Sequence, residues 1–344
     1  MDVRTAQRLW SLDSVWLNTA QYGIPPNTAH RALAEAMEAW RTATGDPSSW
    51  GAAAQDARRR FAALIGSTPD DIAQGTTTSQ FMGVIAASLP DGARVVVPEG
   101  DFTSAVFPWM AHADRGVEVR VVPLAGLADA IDDATAVVAF SLVQSATGEV
   151  APVEEILGAA ARHDALVVTD ATQAAGWCPM DATRFDAVVC SAYKWLMAPR
   201  GLAYAHLSPR LRDRVRPTGA GPSAAADPMA SFYTSRMVLA EGAARFDASP
   251  NWFAAVAAAE SLRVLQDIGV EAVRAHNLAV ANRFRDRLGL PPGDSPIVAV
   301  DDPDAGERLR AAGVRAAERG GRVRLAFHLY STEEDADTAA KALA

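Results

Sequence analysis

The chain has 344 residues, 49% of them apolar and 21% charged, and its 32 Lys+Arg against 41 Asp+Glu give a formal net charge of −9. This is the composition of a folded chain with a sizeable core, and its acidic balance excludes a nucleic-acid binder, which needs clustered cations to meet phosphates. Two cysteines, Cys178 and Cys190, exclude a disulfide scaffold and a Cys-rich metal cluster, so no metal site is expected.

No run approaches the roughly 20 apolar residues of a membrane helix, and Met1–Arg4 opens no signal-peptide core. The expectation is a cytoplasmic protein without membrane contact. In chain order, Leu33, Ala36, Met37 and Trp40 recur at helical spacing among charged residues and predict an amphipathic helix. Gly75–Gln80 is rich in Thr and precedes an apolar helical stretch, Phe81–Leu89. Val-rich runs come next at Arg94–Pro98, Val117–Val122, Ala136–Phe140, Ala165–Thr169, Ala187–Cys190 and Leu202–His206, with a helix at Val153–His163 among them. Short apolar strands without polar alternation, interleaved with helices, predict an α/β fold around a parallel sheet covered on both faces. Pro217–Pro228 reads as a long loop. Helices near Asn251–Leu265 and Gly269–Leu288 and strands at Ile297–Val300 and Arg322–Phe327 then predict a smaller α+β unit. The expected division is a large domain over 21–240, a small C-terminal domain over 241–344, and an N-terminal segment 1–20 joining the small domain.

Four features carry possible chemistry. Lys194 lies in a nearly uncharged apolar stretch, Cys190–Met197. It either snorkels to solvent or sits in a pocket where burial lowers its pKa, as in a Schiff-base nucleophile. Asp170 ends the run Ala165–Asp170, where open α/β sheets bind ligands; it either faces a ligand or caps a helix from Ala171. The hydroxyls of Gly75–Gln80 form either an anion site at a helix N-terminus or a plain cap. Arg324, on a late strand, either grips a carboxylate or faces solvent beside Arg322.

Together and in this order these residues resemble one family. Asp170-Ala-Thr-Gln173, followed by Phe185-Asp-Ala-Val-Val-Cys-Ser-Ala-Tyr-Lys-Trp-Leu-Met-Ala-Pro-Arg-Gly201, is similar to the class V aminotransferase-like enzymes that use pyridoxal phosphate. The likeness runs from Leu17–Gly23 to Arg324–Glu334. It implies the fold type I architecture of pyridoxal-phosphate-dependent transferases. It also implies that Lys194 holds the coenzyme as a Schiff base and then acts as base at the substrate Cα, while Asp170 pairs with the ring nitrogen. Gln173 would bond the ring hydroxyl and Phe102 stack on the ring. Thr76, Thr77, Ser191 and Tyr193 would hold the phosphate and Arg324 the substrate carboxylate. Ser249, in Phe246–Pro250, matches a hydroxyl given to the neighbouring subunit, which implies a homodimer with shared sites. Tyr22 and Trp252 are placed in the substrate pocket by position, together with Phe232 and the Pro217–Pro228 loop.

The family spans desulfurases, kynureninases, C–S lyases, epimerases and aminotransferases. Asp301–Arg322 holds no cysteine, which argues against a persulfide-carrying desulfurase. The opening Leu17–Ala20 and the closing His328–Glu334 resemble the isopenicillin N epimerase branch, and Ser145 stands where relatives often have Asn. The favoured expectation is a lyase acting on an amino acid through its Cα carbanion and cleaving a C–S or Cβ–Cγ bond. A class V aminotransferase and an amino-acid epimerase are the alternatives.

Overall fold

The computed structural model describes residues 1–319 and 321–344. Strands β1 to β12 span Val15–Trp16, Ile72–Gly75, Arg94–Pro98, Glu118–Val122, Thr135–Ser141, Leu166–Asp170, Ala187–Ser191, Ala203–Leu207, Ile297–Val300, Val314–Arg315, Ala317–Arg319 and Arg322–Ala326. Seven of them form the main sheet in the order β2-β8-β7-β6-β5-β3-β4, in which only β8 runs antiparallel to its neighbours. Successive residues of its inner strands enter two different cores. Val138, Phe140, Val167 and Val188 face one. Val137, Ala139, Val168 and Val189 face the other. A sheet covered on both faces needs no polar alternation, which is why the inner strands read as continuous apolar runs.

One strand expectation is corrected, and one strand has no counterpart in the sequence reading. Val117–Val122 begins one residue later and forms the sheet edge, with Glu118, Arg120 and Val121 exposed, so it is not buried on both faces. Ile72–Gly75 is a fully buried strand that lacks the Val-rich signature, because Ala, Gln and Gly supply three of its four positions.

Among the helices, α1 spans Val3–Gln7, α2 Asn27–Arg41, α3 Pro47–Leu64, α4 Thr78–Ala87 and α5 Thr103–Met110. Pro26 leads into α2, the expected amphipathic helix, whose buried residues are Ala29 and Ala36, while Met37 and Trp40 are exposed. Two longer helices, Trp252–Ile268 and Val270–Arg287, match the expected pair closely, and Gly269 between them has φ of +88°, which stops the first. The first of this pair packs against α2 and α3, the second against the C-terminal helix Glu333–Leu343. The expected loop at Pro217–Pro228 continues without long helix or strand to Asp247.

A three-stranded antiparallel sheet, β11-β12-β9, has its own core, where Phe284, Phe327, Leu325 and Val298 meet. The N-terminal segment joins it directly. β1 pairs with β10, and Leu17 accepts the N–H of Ala326 through its carbonyl at 2.8 Å. This pairing brings Ala20–Gly23 and the end of β12 to the carboxyl ends of the main-sheet strands. Among the described residues no helix is long and apolar enough to cross a membrane.

A buried ion pair fixes the segment ahead of Trp252. The guanidinium of Arg58, on α3, donates to the Asp247 carboxylate, which also accepts the N–H of Gln74 on β2 at 2.8 Å. Arg58→Ala strands that carboxylate in the core and is expected to lower stability by about 3 kcal/mol, read as a lower urea midpoint at unchanged slope.

Candidate functional site

Lys194 sits in a tight loop after β7. The loop closes through Ala198 N–H to the Ala192 carbonyl at 3.0 Å and Met197 N–H to the Lys194 carbonyl at 3.0 Å. Met197 takes a left-handed φ of 54°, a conformation that costs a non-glycine residue about 1–2 kcal/mol. Gly23 presses on the loop from the N-terminal segment, its N–H donating to the Tyr193 carbonyl at 2.9 Å. A Cβ there would lie 2.0 Å from the Lys194 carbonyl oxygen, so only glycine fits. Lys194 is 5% exposed and does not snorkel outward. Burial lowers its amine to about 8, against the opposing pull of Asp170. The Nζ lies 5.2 Å from the Phe102 ring centroid and 5.7 Å from that of Tyr193.

Asp170 ends β6, the strand beside β7, and is buried. Its Oδ1 accepts the N–H of Thr172 at 2.8 Å, so it does cap, but residues 172–177 form a chain of turns and not a helix. Burial raises its pKa above the usual carboxylate range, the bonds from Thr172 and the charge of Lys194 oppose the rise, and Asp101 adds to it. A cationic ring nitrogen placed against this carboxylate would relieve that cost.

Gln173, in the same turn, is fully engaged. Its Oε1 accepts Trp195 Nε1–H at 2.8 Å, and its Nε2 donates to the Ala20 carbonyl at 3.1 Å and to Ser145 Oγ at 2.9 Å. Arg324, 1% exposed, donates from Nη1 to the Ser145 carbonyl at 2.5 Å and to Ser145 Oγ at 3.1 Å. Its Nε and Nη2 are buried without a partner. Burial and the charge of Arg319 lower its pKa to about 10, which leaves it cationic near neutrality. Two parallel orphan donors on a guanidinium are the fork that a carboxylate fits, so Arg324 does not face solvent, unlike the exposed Arg322.

The expected anion end lies at the start of α4. Thr77 Oγ1 caps the helix by accepting Gln80 N–H at 3.1 Å. Thr76 donates its N–H and hydroxyl to Gln80 Oε1, at 2.8 and 2.9 Å. Ser191 Oγ meets Thr78 Oγ1 at 2.9 Å, and Thr78 Oγ1 meets Thr172 at 3.2 Å. These hydroxyls and the α4 N-terminus could hold a phosphate group. Phe102 starts α5 where Asp101 fixes it: that carboxylate accepts the N–H of Phe102 at 2.6 Å and the N–H and hydroxyl of Ser141 at 2.7 and 2.5 Å.

Tyr22 packs against Trp16 with the rings tilted by 44° and centroids 4.4 Å apart, and it lines a cavity of about 250 Å³ with Gly23, His30, Tyr193, Met197 and Arg200. The Arg200 guanidinium lies 4.1 Å from the Tyr193 ring centroid. Trp252 lies elsewhere, against Trp50 at 5.5 Å, and Phe232 lines a separate cavity with the 220–239 loop. Ser249 follows Ala248, whose N–H donates to the Gln74 carbonyl at 2.9 Å. The structure therefore gathers Lys194, Asp170, Phe102, Tyr193, Gln173 and Arg324. It adds Asp101, Thr78, Thr172 and Trp195, which bond to other site residues; the last three lie inside the quoted runs but had no role assigned there. One overlooked signal lies in the composition: Lys194 and Lys341 are the two lysines among 32 basic residues. Where arginine serves nearly every cationic need, a lysine in an apolar run marks amine chemistry.

The buried amine, the buried carboxylate, the orphan fork and the hydroxyl cluster fit pyridoxal phosphate. The family model described as Aminotransferase class-V matches residues 36–309. An isopenicillin N epimerase from Streptomyces clavuligerus is 30% identical over 335 residues, covering 83% of each chain. A probable cysteine desulfurase from Methanothermobacter thermautotrophicus is 25% identical, covering 94% of this chain and 92% of its own. Among solved structures, the cystine C–S lyase C-DES with its product cysteine persulfide superposes with a TM-score of 0.86 at 18% identity, covering 96% of this chain and 97% of that one.

This geometry predicts two outcomes. In protein free of coenzyme, amine-specific labelling of Lys194, read by peptide mass against pH, should reach half its maximum near pH 8, because only the neutral amine reacts. Gly23→Ala should displace the lysine loop and lower coenzyme affinity by about tenfold or more, measured by equilibrium titration.

Proposed function

The chain belongs to the aminotransferase class-V family and uses pyridoxal 5'-phosphate, and from that premise we propose that it is a lyase that cleaves a C–S or Cβ–Cγ bond of an amino acid and releases the fragment free. The coenzyme, when bound, supplies an aldehyde that condenses with amines and a ring that takes up the electron pair released at Cα. Lys194 would hold it between turnovers, and its amine, when free, would remove the Cα proton of the substrate. Asp170 keeps the ring nitrogen protonated. Arg324 takes the substrate carboxylate on its Nε–Nη2 edge and so orients the bond to be broken. Phe102 covers the ring with an apolar face and exchanges no proton. Thr76, Thr77, Ser191 and Tyr193 hold the phosphate, and Ser249 completes the partner's site in a homodimer. The side chain of the substrate meets the cavity beside Tyr22.

One observation carries the choice of free release: neither thiol suits sulfur transfer. Cys190 lies in β7, 1% exposed, its pKa pushed well above the ordinary thiol value by burial. Cys178 is pushed up to about 11 by burial. Nucleophilic cysteines need the opposite shift. A second reading, epimerisation at Cα, draws on the relative at 30% identity and on the likeness of the chain's two ends to that branch.

The test is product analysis of the loaded enzyme with sulfur-bearing and other β-substituted amino acids. Elimination of a sulfur substituent releases an oxo acid and ammonia, and Cβ–Cγ cleavage releases a shortened amino acid and the γ-fragment, in both cases with the aldehyde spectrum retained. Accumulation of pyridoxamine phosphate would replace the proposal with transamination, and loss of optical activity with solvent deuterium at Cα would replace it with epimerisation. Lys194→Ala should cost turnover at least about 10³-fold.

A further inference from the structure

The cavity beside Tyr22 has apolar walls and a cation that nothing neutralises. Pro25, Ala29, Leu33, Met197 and Ala198 supply the walls, His30 and Arg200 are its basic residues, and no aspartate or glutamate lines it. Arg200 is exposed yet held in place. Pro199 precedes it, and Gly201 follows with φ of +89°, a left-handed conformation that favours glycine. The Gly201 carbonyl accepts from Asn251 Nδ2 at 3.3 Å, and Asn251 in turn caps the helix Trp252–Ile268. The Arg200 guanidinium lies over the Tyr193 ring, 4.1 Å from its centroid. Stacking occupies a face of the guanidinium and leaves its N–H edge available, and among the described residues no carboxylate pairs with that edge.

The same ring faces Lys194, whose Nζ lies 5.7 Å from its centroid. One aromatic ring thus spans the amine at the centre of the site and the cation in the cavity. Burial is the main cause of the lowered Lys194 pKa, and the charges of Arg324 and Arg200 both add to it, so both arginines stand close enough to act on that amine. Arg324 has its Nε–Nη2 edge for one carboxylate. Arg200 is a second cation, on a different element, with room for a second anion. We propose that Arg200 selects substrates whose side chain ends in a carboxylate, so that the chain acts on a dicarboxylic amino acid, such as a cysteine carrying an S-carboxyalkyl group. The inference rests on the side-chain placement proposed above and names the class of side chain. The apolar walls take the methylene stem, and the guanidinium edge takes the terminal anion. A neutral terminus leaves Arg200 unpaired, and a cationic one is repelled by it.

The experiment measures binding to the coenzyme-loaded enzyme, read as the change in its visible spectrum on rapid mixing, before turnover. The probes are S-carboxymethyl-L-cysteine and its neutral isostere S-carbamoylmethyl-L-cysteine, with the S-carboxyethyl and S-carbamoylethyl pair for a longer reach. In at least one pair the parent should bind the acid about tenfold more tightly than the amide, the scale of one hydrogen-bonded charge pair partly open to water. Arg200→Met keeps a long stem over Tyr193 without the charge and should bring acid and amide within about twofold of each other. Arg200→Gln gives the same reading should Arg200→Met fail to load. Equal affinities for acid and amide in the parent overturn the assignment, as does binding of neither. A preference that survives in the neutral variants also overturns it, and passes the anion to His30. A parent that forms no band with coenzyme overturns the coenzyme reading and this assignment with it. A chain that prefers the acid but transaminates or epimerises its substrate loses the lyase reading and keeps this one.

Discussion

The site depends on taking one amine out of water. Lys194 is held between two aromatic rings, in a loop closed on itself and pressed by a glycine from the other end of the chain. Desolvation lowers its pKa to about 8, so a useful share is neutral at physiological pH. The same burial acts on Asp170 in the opposite sense, because it disfavours an isolated anion. Each group is costly alone. An aldehyde-bearing cationic ring between them would relieve both, since it converts the amine and pairs the carboxylate. The fold supplies this geometry because β6 and β7 are adjacent and parallel, so their carboxyl ends deliver both residues to one side of the sheet.

Such a site carries strain and unsatisfied polarity, borne by neighbours that over-determine it. Met197 is left-handed, and Arg324 keeps two buried N–H groups without partners. Both persist because the surroundings leave no alternative. His328 shows how. It is buried and held neutral, its pKa lowered to about 3 by burial. Its Nε2 lies 3.1 Å from the Trp195 carbonyl, and its Nδ1 lies 3.2 Å from the Asn277 amide. A neutral imidazole can donate at one nitrogen and accept at the other, which matches a carbonyl on one side and an amide N–H on the other. The residue after Lys194 is thus tied to the small sheet's own continuation.

Much of this was legible in the sequence, and the reasons for the remainder are physical. Inner strands announced themselves because a surface buried on both faces must be apolar throughout. β2 stayed hidden because Ala, Gln and Gly fill it, its backbone pairing being worth more than its side chains. The helical spacing of Leu33, Ala36, Met37 and Trp40 gave the helix but not its buried face, which alanines carry in α2. Lys194 and Asp170 were found because each sits where its charge is out of place. Asp101, Thr78 and Trp195 were not, because they act by bonds to other side chains far away in sequence, and no local pattern encodes a partner 40 or 113 residues off.

The bonds close into a circuit. Arg324 reaches Ser145, Ser145 receives Gln173, Gln173 receives Trp195, and the Trp195 carbonyl meets His328, which stands four residues beyond Arg324 on the same segment. A circuit of this kind resists deformation more than its separate members, because moving one donor disturbs acceptors on both sides. It passes through the residue beside Lys194 and through the arginine whose free edge suits a carboxylate.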